Sequence, residues 1–265
     1  MKLTLKQQLG RVNAIARVTR QEILKDKILY NILLFAVLLF GVSILAARLS
    51  FIQPDRILLD VGFSSVTLGC VAIGVLFGAQ MVSREIERRT LWVALARSVS
   101  PTEFLLGKFM GCAEVVLINW ALMVLVEVGV LSTLSEFGME WVVLKAFLLP
   151  AFLGVMFVAV AMFFSSFTTT SLAVIFSIGT FLIGTQISVL RELIAQLQAP
   201  LLEKVLKALL VFIIPSEQYQ LGFMVTYRKD IPAQYIIKCA AIALFYGVFL
   251  TVLAGKFIRS RERSQ

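Results

Sequence analysis

Glu114 and Glu127 lie thirteen residues apart in a run, Phe104 to Leu134, whose only other charge is Lys108. Just upstream, Arg84, Glu85, Glu87, Arg88 and Arg89 crowd into six residues. These are the side chains whose types and spacing could do chemistry. Acids embedded in an apolar run could meet a substrate or a cation, or form a structural ion pair or a polar seam between subunits. A dense cluster of both signs could dock another protein. The sequence has no histidine, which removes Ser-His and Cys-His catalytic machinery, His-ligated haem and His-based zinc or copper sites. Cys70, Cys112 and Cys239 are far apart in apolar runs, with no CxxC pairing, and read as small buried hydrophobes. Gly107-Lys108 lacks the upstream glycine of a phosphate loop and is followed by Phe109, so no nucleotide site is expected in this chain. No catalytic residue and no metal ligand are assigned.

The elements that must hold these residues follow from composition. Of 265 residues 59% are hydrophobic and 15% charged, with a mean hydropathy of +0.92. An average soluble domain is about 25% charged; this chain cannot cover a globular surface with polar groups. The composition implies an all-α, polytopic membrane protein. Crossing about 30 Å of hydrocarbon at 1.5 Å per residue takes roughly 20 apolar residues. Six spans are expected, at 28–47, 61–82, 104–134, 142–165, 172–190 and 236–256. The fourth and fifth come from Ala146 to Leu190, a stretch without charge. It is about 67 Å long as a helix, and the polar tract Ser165–Ser171 is where it must fold back.

Orientation follows from the basic residues. Residues 1–27 carry seven Lys or Arg, 83–108 carry five and 256–265 carry four, against nine on the other side. The crowded side is expected to be cytoplasmic, with both termini there. This topology accounts for the net charge of +9 without any nucleic-acid partner. Residues 1–27 are expected as an interfacial amphipathic helix and not a cleavable signal peptide. Leu5, Leu9, Val12, Ala16, Thr19 and Ile23 share one face, with Lys6, Arg11, Arg17 and Lys25 elsewhere. Residues 28–257 form the six-span domain, with a cytoplasmic segment at 83–103 and an external one at 191–235, and 258–265 form a basic tail. The piece Pro200 to Ile214 is too short to span and is expected to dip into the outer leaflet.

Within the spans, an ionised carboxylate at a helix centre costs roughly 2.5–3.5 kcal/mol. For Glu114 the ligand and structural readings stand level. Glu127 lies nearer the outer surface and is expected to reach water and to be structural. Asn119 is the third intramembrane polar candidate; it, Asn31 and Gln186 are read first as helix–helix hydrogen bonds. Gly74 with Gly78, and Gly107 with Gly111, form GxxxG pairs that permit close helix approach.

The loop from Ser83 to Lys108 opens on the charge cluster and continues with an apolar stretch too short to span, before Pro101 marks a break. It resembles the signature of the ABC type-2 permease family, in which an acid precedes a Gly-Thr-Leu step, a Leu, a small-Pro-Val step and an aromatic before Gly-Lys. Glu85, Glu87, Thr90, Leu91, Leu95, Ala96, Val99, Phe104, Gly107 and Lys108 match; Arg89 stands in place of glycine and Ser98 in place of proline. The resemblance implies the transmembrane subunit of an ATP-driven exporter in the inner membrane. Two copies, or one copy and a related permease, would pair with two separate ATPase subunits that bind ATP and Mg. It makes Arg84, Glu85, Glu87, Arg88 and Arg89 docking candidates, with Leu91, Trp92 and Leu95 as the apolar anchor. Two other readings were weighed. The same fold could transmit motion to an envelope accessory protein without net transport, or the chain could be an intramembrane lipid enzyme, which the lack of histidine weakens. No residue pattern selects a substrate.

Overall fold

Apolar runs of this length have one stable form in a bilayer, the helix, because it satisfies every backbone group internally. The structure, a computed structural model, describes residues 5–27, 30, 37–38, 40–42, 44–45, 48, 54–87, 100–134, 141–195, 216–222 and 231–262. Among these the chain is helical almost throughout and has no strand. The helices are α1 (Leu5–Leu24), α2 (Pro54–Glu87), α3 (Pro101–Leu134), α4 (Trp141–Ser165), α5 (Thr170–Thr185), α6 (Ile187–Ala195) and α7 (Ala233–Glu262), with a 3₁₀ turn at Ser216–Tyr219 before α7. Four of them, α2, α3, α4 and α7, are long and apolar enough to cross a membrane; α5 and α6 together make a fifth if counted as one broken span. The first expected span, 28–47, and Pro200 to Ile214 lie wholly or largely outside the described residues.

At its centre stands α4. From Ala146 to Met162 only Leu148 and Phe152 keep partial exposure, as expected of a helix that is apolar all round. Against it α2 packs most closely, and both use the GxxxG seam. A Cβ on Gly74 would collide with the Gly154 carbonyl, and one on Gly78 would lie 2.6 Å from the Val158 oxygen. Bare backbone therefore touches bare backbone. Pro150 lies inside α4 without ending it; nearby, the Trp120 indole donates to the Phe147 carbonyl at 2.6 Å, tying α3 to α4.

The turn at Ser165–Ser171 forms as its composition suggests. Ser166 and Thr168 donate their hydroxyls to the Phe163 and Phe164 carbonyls, each at 2.7 Å, closing the end of α4. The expected continuous span at 172–190 does not form. The chain breaks at Gln186 and α6 leaves α5 at 68°. Gln186 closes α5 by donating its backbone N–H to Ile183 O, and Glu217 accepts from the Ser188 N–H at 3.0 Å, satisfying a donor at the new helix start. Gln186 thus marks a bend and is exposed, not a helix–helix contact. The segment 83–103 also shrinks: 83–87 continue α2 and 101–103 already belong to α3.

Candidate functional site

Lys108 opens the site. It lies two turns into α3, with 7% of its side chain exposed, and its ammonium donates to Glu85 Oε1 at 3.0 Å. Glu22 of α1 lies at 3.7 Å on the same nitrogen, the Phe104 ring centroid at 5.7 Å and the Met81 sulfur at 4.0 Å. One cation thus joins the end of α2, the beginning of α3 and the end of α1. A buried ammonium needs such partners, because desolvation without them costs more than packing returns. Two further pairs bind α1 to the same corner. Arg84 reaches Asp26 at 3.3 Å, and Arg20 reaches Glu114 at 3.0 Å with both side chains about a third exposed.

The local sequence builds this corner in three ways. Ser100 caps α3: Glu103 N–H donates to its hydroxyl at 3.2 Å while Ser100 N–H donates to the Glu103 carboxylate at 3.3 Å. That is a reciprocal capping box with Pro101 at the first helical position. Gly107 and Gly111 open a groove for α1; a Cβ on Gly107 would press on Ile15, and one on Gly111 would lie 2.6 Å from the Ala16 carbonyl. Into that groove goes the apolar face of α1, with Ala16, Thr19 and Ile23 fully buried. The face read as lipid-seeking is packed on α3. Beside it, the Ser83 and Ser165 hydroxyls meet at 2.6 Å, and Ser165 donates to Ala79 O at 2.7 Å, joining α2 to the α4–α5 turn.

The docking candidates divide accordingly. Arg84 and Glu85 are engaged in ion pairs within the chain. Glu87 ends α2, but its side chain, like Arg88, Arg89, Leu91, Trp92 and Leu95, lies outside the described residues. Sequence reasoning missed Arg20 and Glu22 of α1 and Asp26 just after it, the partners of Glu114, Lys108 and Arg84. Their signal was available as opposite charges at the end of α1 and the two ends of the loop. The capping box was also legible as Ser-x-x-Glu.

The remaining intramembrane candidates behave differently. Asn119 is buried and donates to Val115 O at 3.1 Å in its own helix, so it makes no described interhelical bond through that nitrogen. Glu127 does not reach water. Its side chain is buried and, among the described residues, neither carboxylate oxygen has a hydrogen-bond partner; it lies against Gly62 of α2, where a Cβ would overlap the carboxylate. The stretch of α3 around Glu127, apolar from Ala121 to Val126, offers no polar face from which its direction could be foreseen.

A family profile described as ABC-2 family transporter protein matches residues 47–259. The chain belongs to the ABC-2 transporter family. It is therefore a multi-pass membrane permease of an ABC transporter, a component that associates with an ABC ATPase. No curated protein matches the sequence. Among ABC-2 chains, the corner at Lys108 is where this one concentrates its described ion pairs.

Proposed function

We propose that this ABC-2 permease exports its substrate by receiving motion from two ATPase subunits through residues 88–99, with a second permease copy completing the channel. Both termini lie in the cytoplasm of a cell whose inner membrane holds the protein. The observation that carries this reading is the Lys108 junction. Glu85 precedes the segment and Lys108 follows it, and the two are held at 3.0 Å with Glu22 beside them. A push on that segment cannot displace α2 without moving α3 and α1, so a local displacement becomes tilting of rigid helices. Arg84, Glu85, Glu87, Arg88 and Arg89 give the contact its charge pattern, and Leu91, Trp92 and Leu95 supply the buried anchor. Where α1 packs on α3, it forms the second contact with the ATPase while its cations lie among anionic headgroups. ATP and Mg stay with the ATPase subunits.

The test is reconstitution of the chain with its ATPase in lipid vesicles. Glu85→Lys should leave ATPase co-purification reduced and permease-dependent turnover lowered at least tenfold, and the exchange Glu85→Lys with Lys108→Glu should restore most of it. Full turnover in the single variant would end the coupling reading.

A further inference from the structure

The opposite end of the bundle holds a cavity that the coupling corner does not explain. Asp60, Ser64 and Thr67 recur at helical spacing on one face of α2, in the half furthest from Glu85. Phe181 of α5 and Gln220 and Gly222, just after the 3₁₀ turn, close around them to leave about 350 Å³, open on one side. Glu127 does not belong to it, since Gly62 lies some 200° around α2 from Asp60.

The wall is built closely. A Cβ on Gly222 would come within 3.0 Å of the Phe63 ring and 3.3 Å of Asp60 Oδ1, so the backbone is laid directly over the acid. Phe63 and Phe181 are themselves fixed, by ring contacts to Phe147 at 5.8 Å and Phe157 at 5.6 Å. The polar groups are uncommitted. Among the described residues neither Asp60 nor the Ser64 hydroxyl has an ion-pair or hydrogen-bond partner. Thr67 donates to Phe63 O at 2.8 Å and keeps its lone pairs. Among the described lining residues Asp60 is the single ionisable group. A phosphate, sulfate or carboxylate placed here would meet that carboxylate, with no cation among the described lining residues to offset it. A positive group meets the carboxylate and two aromatic rings together. Next to the cavity Leu68 and Leu182 stand exposed, 48% and 58%, and offer an apolar track toward lipid.

We propose that this cavity binds the cationic head of an amphiphile, an organic ammonium whose chain lies along Leu68 and the outer face of α5. The inference rests on the export reading for its meaning, as the class of substrate leaving through the outer leaflet, but the binding it describes needs neither ATP nor ATPase.

The test uses the full chain in nanodiscs of phosphatidylglycerol without nucleotide or ATPase. Three photoreactive dodecyl probes, headed by trimethylammonium, sulfate or maltoside, are crosslinked and mapped by mass spectrometry. Labelling is normalised to the lipid-exposed Leu122 and Leu125 of α3. The ammonium probe should label 54–68 and the peptide containing Phe181 saturably, about tenfold more than the sulfate probe. Asp60→Asn, an isosteric change at an exposed residue, should lower that labelling at least fivefold and leave the maltoside probe unchanged. Gly222→Val should lower labelling by all three. Equal labelling by the sulfate probe, or an Asp60→Asn variant labelled like the parent, would overturn the proposal. In a second arm phosphatidylethanolamine is added. Displacement of the probe assigns the ammonium to a lipid headgroup, and persistence assigns it to a diffusible amphiphile; either supports the site. Loss of labelling with coupled turnover intact strikes the substrate class alone, whereas uncoupled turnover with labelling intact strikes the export reading.

Discussion

On α3, Glu114 meets Arg20 at 3.0 Å with 36% of its side chain in water, while Glu127, thirteen residues on, is sealed against Gly62 with both oxygens unpartnered. The end of the bundle next to α1 holds its acids in pairs that reach between helices; the opposite half holds one by steric enclosure. The two arrangements differ in what they permit. Paired charges near water can separate and re-form as helices shift. A carboxylate enclosed by a glycine backbone has no alternative partner among the described residues, and the helices around it must stay close.

Substitutions can break this contrast, and the largest effect should fall on Lys108. Removing one partner of a buried pair costs about 3–5 kcal/mol, so Lys108→Glu, which groups three carboxylates, should lower the unfolding temperature in detergent severely. The exchange with Glu85→Lys should recover most of the loss. A Lys108→Glu protein that melts with the parent would mean that the corner is not held by charge. Next comes Gly62→Ala, expected to cost about 1–3 kcal/mol through overpacking. Combined with Glu127→Ala the penalty should vanish, and a double-mutant cycle that proved additive would refute direct contact. Loss of the α3 cap in Ser100→Ala should cost about 1 kcal/mol, measured by denaturant titration. The smallest effect belongs to Glu114→Gln, at most about 1 kcal/mol because both partners reach water; raising the salt concentration in the parent should reproduce it. A larger, salt-insensitive effect would place Glu114 with Glu127 after all.

The sequence makes long apolar helices legible because their length and lack of charge leave no other form in a bilayer. The Ser165–Ser171 turn is equally plain, since hydroxyls can close helix ends where apolar residues cannot. Other features depend on what a surface meets. The face of α1 from Val12 to Ile23 suits lipid and a protein groove alike, and only the glycines at 107 and 111 on another helix decide between them. Glu127 sits in a helix with no polar side, so periodicity cannot aim it. At Gln186 the break needs Glu217, thirty-one residues downstream, to accept the freed amide, a contact no local pattern announces. Of the candidate site, Glu85 and Lys108 are legible in the motif and Arg84 in the charge cluster beside it; their partners in and just after α1 require the packing.

The seam at Gly74 and Gly154 has a consequence for how such a machine could open. Where two backbones touch with no side chains between them, there is no soft layer to shear, and sliding one rod past the other would drive carbonyls into α-carbons. Together α2 and α4 form a stiff spar, and a change of shape in the bundle must turn around it rather than slide along it.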